Sequence, residues 1–138
     1  MSKHTDNKGN VRMIDISDKD ITKRVAKAEG FIELSEEALD IIVNNVNKKG
    51  DVLTVAQIAG IAGAKQTSTL VPLSHQVNLK SIQISFDIKR NGISCLSEVI
   101  TDSNTGVEIE AILSVEICLL TIYDLSLIHI SEPTRRTI

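Results

Sequence analysis

The chain has 138 residues, 42% of them hydrophobic, with a formal net charge of -3, which suits one globular domain with a real core rather than two. Aromatic residues make up only 2%, so the core must be built from Ile, Leu, Val and Ala, and neither the stacking surface nor the basic stripe of a nucleic-acid binder is present. No apolar run is long enough to span a bilayer and the polar start, Met1 to Asn10, lacks the apolar stretch of a signal peptide, so a cytoplasmic protein without a membrane partner is expected.

Residues 1–10 read as a mobile arm, followed by a short strand over Val11 to Ile16. Thr22 to Leu34 reads as a strand, because Gly30 weakens the alternative helix. Ser35 to Lys49 is the clearest helix. Ser35 caps it, Glu36 and Glu37 fill its first turn, and Lys48 and Lys49 its last. Leu39, Ile42, Val43 and Val46 form its apolar stripe, and Gly50 stops it. A second helix over Val52 to Thr67 carries Ala56, Ala59, Gly60, Ala62, Gly63 and Ala64. So many small residues imply close approach of another backbone, within one subunit or across an interface.

A hairpin follows. Ile82, Ile84, Phe86 and Ile88 alternate with polar residues, Asn91-Gly92 signals the turn, and Ile93, Cys95, Ser97 and Val99 continue beyond it. Thr101 to Gly106 is a polar loop, and a third helix runs from Val107 to at least Tyr123. This order predicts an α+β sandwich. Such a plan calls for one more strand after the last helix, for which little chain remains. Cys95 and Cys118 match neither zinc nor redox spacing, and Cys118 reads as a small core residue. His4, His75 and His129 have no metal-ligand spacing, so no metal is expected.

Four segments carry groups capable of chemistry. Lys49, at the junction of the first two helices, suits a phosphate or a proton transfer, but a solvated lysine pair at a helix end accounts for it as well. His75, in Pro72-Leu73-Ser74-His75, suits acid, base or phosphate chemistry at neutral pH, or is a plain surface histidine. Glu108 and Glu110 open the third helix, where dipole complementarity alone explains them; two positions apart, they should face different sides of a regular helix. Asp124 opposes the dipole at the far end of that helix, a position against local electrostatics.

Taken together and in order, Met13 to Ser17 (MIDIS), Lys49 to Val52 (KGDV), Ile58 to Ile61 (IAGI), Ala64-Lys65, Leu70 to His75 (LVPLSH), Thr105 to Ala111 (TGVEIEA) and Leu120 to Asp124 (LTIYD) resemble the MoaC family of cyclic pyranopterin monophosphate synthases. The resemblance covers residues 11–125. It implies a ferredoxin-like subunit assembled as a homo-hexamer, a trimer of dimers, with active sites between subunits. It implies a purine nucleotide-derived substrate, 3′,8-cyclised dihydro-GTP, from which a cyclic phosphate closes and pyrophosphate leaves, with no tightly bound cofactor. By the same resemblance Lys49 and Asp124 are catalytic, while His75, Glu108, Glu110, Arg24 and Lys65 bind substrate, Glu108 being the stronger of the acidic pair.

The sequence departs from the family at Gln57, Ser74 and Gln76, where many members carry arginine, cysteine and proline. After Asp124 the departure is larger. Leu127 stands where the family has a second catalytic lysine. Residues 126–138, with the string SLIHISEPTRR, resemble translated sequencing-adapter read-through and are expected not to be native, leaving the C-terminal strand missing.

Overall fold

The computed structural model describes residues 8–45 and 51–128. Three strands and four helices follow in the order β1 (Thr22–Glu33), α1 (Glu36–Asn44), α2 (Val52–Lys65), α3 (Thr67–Leu70), β2 (Leu79–Lys89), β3 (Gly92–Ser103) and α4 (Glu108–Ile128). Among the described residues the sheet is antiparallel in the order β1-β3-β2. The α+β class is therefore as expected, and the order of the three described strands is that of the first three strands of a ferredoxin-like sandwich.

The strand alternation holds along the hairpin. Ile82, Ile84, Phe86 and Ile88 pair in register with Val99, Ser97, Cys95 and Ile93. All four of those β3 residues are fully buried, under α2 and α4 on one face of the sheet. The other face exposes Val25, Phe31 and Leu96. Residues one position apart on a strand point to opposite faces, so covering one face divides each strand cleanly.

The helices begin where their caps dictate. Ser35 Oγ accepts the Ala38 amide at 3.1 Å. Asp51 accepts the Thr54 amide at 2.8 Å and the Thr54 hydroxyl at 3.0 Å; each cap contributes about 1 kcal/mol. The end of α1 differs from expectation. It closes at Asn45, whose side chain donates to Ile41 O at 2.7 Å; Val46, Lys48, Lys49 and Gly50 lie outside the described residues.

Two further expectations are corrected. Val11 makes only an isolated bridge, and residues 12–16 form no strand; the carbonyls of this segment bond to side chains instead, as described below. The hairpin turn is Arg90-Asn91, because Lys89 pairs with Gly92 and Gly92 is the first residue of β3. A Cβ on Gly92 would fall 2.0 Å from Ile32 O. That glycine answers a close approach to β1, not the positive φ that an Asn-Gly turn demands.

One face of the small-residue helix packs within the chain. α2 packs on α4 of the same chain, where a Cβ on Gly60 would fall 2.3 Å from Cys118 Sγ and 2.9 Å from Ser114 O. Cys118 is a core residue, as expected: it is fully buried beside Ile84, Cys95 and Val115, and its thiol donates to Ala56 O at 3.1 Å.

Candidate active site

One cleft, of about 190 Å³, gathers residues from three separate stretches: Ile14, Ile16 and Lys19; Leu73, Ser74 and His75; and Thr105, Gly106 and Glu108 to Glu110. The loop after α3 turns tightly, since Val71 O accepts both the amide of Ser74 at 3.0 Å and its hydroxyl at 2.8 Å. That turn delivers His75 to the cleft. Its Nε2 meets the carbonyl of Ile14. A carbonyl only accepts, so Nε2 carries the proton and donates, and Nδ1 is the nitrogen left for proton exchange.

Glu108 and Glu110 line the same cleft despite standing two positions apart. The reason is local. α4 begins at Glu108, so the Glu108 side chain is not confined by a preceding turn. It folds back over Gly106, where a Cβ would meet its Oε2 at 2.2 Å. Any residue other than glycine at 106 would displace that carboxylate.

The two acids sit in different surroundings. Glu108 is exposed, whereas Glu110 is only 4% exposed. Burial pushes the Glu110 carboxyl above its ordinary 4.5, and the Glu108 charge pushes it the same way. Two carboxyls in unlike surroundings, one of them holding its proton more tightly than usual, are an arrangement that can divide acid and base roles. Asp15, between the cleft residues Ile14 and Ile16, is a further carboxylate. The Ser17 amide, donating to it at 2.9 Å, holds its carboxyl below the usual aspartate value, helped by the Ser17 hydroxyl and by His75.

The remaining expected site residues lie elsewhere. Arg24, on β1, donates through Nε to Ser103 O at 3.0 Å, next to the loop that leads into the cleft. Lys65, at the end of α2, borders a separate hollow with Ile61, Leu79, Lys80, Ser81 and Ile82. Asp124 is exposed on α4, about 24 Å along the helix axis from Glu108 at 1.5 Å per residue. The start of α2 packs near that far end, with Val52 and Ile122 in one core cluster. Lys49 is outside the described residues. Lys19 was not singled out from sequence, although it lines the cleft. The polar run Ser17-Asp18-Lys19-Asp20 signals a turn there, but no local pattern says which surface the turn meets.

A model of the MoaC family matches residues 13–130. The chain belongs to the MoaC family. The match takes in every residue of the cleft together with Arg24, Lys49, Lys65 and Asp124. Similar proteins include a cyclic pyranopterin monophosphate synthase of Syntrophomonas wolfei, 45% identical over 125 residues, which are 89% of this chain and 80% of the relative. A molybdenum cofactor biosynthesis bifunctional protein of Chlorobaculum tepidum is 48% identical over 88% of this chain and 39% of its own length. The molybdenum cofactor biosynthesis protein moc-5 of Caenorhabditis elegans is 46% identical over 88% of this chain. The chain spans only 21% of that nematode protein, so the MoaC unit occurs both nearly alone and inside longer chains.

Proposed function

We propose that this chain is a cyclic pyranopterin monophosphate synthase of molybdenum cofactor biosynthesis, a lyase that takes 3′,8-cyclised dihydro-GTP, closes a cyclic phosphate and releases pyrophosphate. The observation that carries the proposal is the meeting of His75, Glu108 and Glu110 in one cleft of a MoaC-family chain. Those three groups offer what a ring rearrangement needs: a buried carboxyl at Glu110 whose proton is held more tightly than usual, a second, exposed carboxyl at Glu108, and an imidazole held in one tautomer. Arg24 and Lys65 are assigned to the triphosphate, whose charge calls for local cations even in an acidic chain.

Lys49 and Asp124 complete the catalytic set. On one chain Asp124 stands too far along α4 to reach a substrate held beside Glu108. The working site therefore draws Asp124 from a second copy, in a homo-hexamer built as a trimer of dimers. A second reading, a synthase with impaired turnover, is favoured by Leu127. It lies three positions after Asp124 on the described part of α4, so the two share a helix face. A lysine there would pair with Asp124; a leucine transfers no proton.

The test is turnover of purified protein on 3′,8-cyclised dihydro-GTP, followed by pyrophosphate release. The expected result is slow release that Leu127→Lys raises about 100-fold, the scale of one proton-transfer group. Fast release by the unaltered chain refutes the impaired reading. No release from either protein refutes the synthase reading.

A further inference from the structure

Segment 12–20 belongs to no helix or strand, yet it supplies one wall of the cleft. Two long-range side-chain contacts on its backbone hold it there. His75 donates to Ile14 O, and Asn104 Nδ2 donates to Ile16 O at 3.0 Å from the loop between β3 and α4. Ile16 O also accepts the Lys19 amide at 3.1 Å. One carbonyl thus both closes the turn that ends in Lys19 and receives the Asn104 side chain.

Lys19 is the one Lys or Arg among the residues lining the cleft, and it faces two glutamates there. An unanchored lysine would collapse onto those carboxylates, since a flexible segment costs little to move. None of the ion pairs among the described residues involves Lys19. We propose that Asn104 is a positioning residue that fixes the Lys19-bearing turn, so that Lys19 stays available to a substrate phosphate. The proposal rests on the synthase reading for its ligand, an oligophosphate, but its geometry is independent of the chemistry. Asn104 acts through the turn and touches no reacting atom.

The experiment is calorimetric binding of inorganic triphosphate to the full chain at low salt. Variants are Asn104→Ala, Asn104→Asp, Asn104→Gln, Lys19→Ala and the double variant Asn104→Ala/Lys19→Ala, with melting curves alongside. Loss of the amide donor in Asn104→Ala or Asn104→Asp is expected to weaken binding about fivefold, the scale of one hydrogen bond, without lowering the melting temperature. Asn104→Gln, which keeps the donor, restores affinity to within about twofold of the wild type. Lys19→Ala weakens binding about tenfold, and adding Asn104→Ala to it costs nothing more, because the two act through one turn.

Affinity unchanged in Asn104→Ala overturns the proposal, as does an equal Asn104→Ala penalty with and without Lys19. Failure of the wild type to bind triphosphate overturns it too. Pyrophosphate release from 3′,8-cyclised dihydro-GTP is measured in parallel. Its absence in a chain that binds triphosphate and shows the Asn104–Lys19 coupling counts against the synthase reading alone.

Discussion

Glu110 is buried at the cleft that it shares with Glu108 and His75. By resemblance Glu108 was the stronger of the pair, and the helical repeat set the two on different sides. Both border the cleft, and it is Glu110 that is buried. This has a consequence for stability. Its carboxyl titrates above the ordinary glutamate value in the folded chain because burial disfavours the anion. The folded state therefore holds a proton over a pH range in which the unfolded state has lost it. Stability must fall as pH rises from the ordinary value through the raised one. Glu110→Gln removes that titration. Urea midpoints of the variant are expected to match the wild type at pH 4 and to exceed it at pH 8. A gap that does not widen between those two pH values would show that Glu110 ionises freely in the folded protein.

At the scale of elements, α2 and α4 pack closely at Gly60. Gly60 lets the two helices approach until a Cβ would touch Cys118 Sγ, Ile84 and the Ser114 carbonyl. Gly60→Ala gains about 1 kcal/mol of helix propensity. It also forces an overpacked contact, which costs about 1–3 kcal/mol. The Cys118 thiol is on a short side chain and the Ser114 carbonyl belongs to the backbone, so neither rotates away. Overpacking wins, and chemical denaturation should register a net loss of about 1 kcal/mol. The same contact explains why a stripe of small residues could not be assigned from sequence. Small residues announce that something comes close; they do not say whether it is the same chain or another.

At the scale of the whole molecule, α4 is a ruler between two sets of groups. Its first turn carries Glu108 and Glu110 into the cleft with His75, and Asp124 lies toward its other end, nearer the start of α2. If each working site draws on two copies, two individually defective chains should repair each other. His75→Ala and Asp124→Asn, each inactive alone, are expected to regain pyrophosphate release when refolded as a mixture, and light scattering on the mixture should report an assembly larger than one chain. A mixture as inactive as its components would place all catalytic groups on one chain. The open sheet face, with Val25, Phe31 and Leu96 exposed, leaves apolar surface for such association.

The amino-acid sequence by itself determined the α+β order, the strand faces, the cap at Ser35 and, to within a residue, where α4 begins, because these follow from local alternation and from hydrogen bonds between residues three or four apart. Its spaced motifs also pointed to the MoaC family. It misread Val11 to Ile16 as a strand and moved the hairpin turn by one residue, since both are decided by partners distant in the chain: His75 and Asn104 for the first, Ile32 for the second. Only the tertiary structure decided which candidate residues meet. It joined His75, Glu108 and Glu110, added Lys19, and set Asp124 apart. Spacing along a chain carries no information about contacts that close across 61 or 88 residues; those depend on how the helices and the sheet pack, and so does the burial of Glu110.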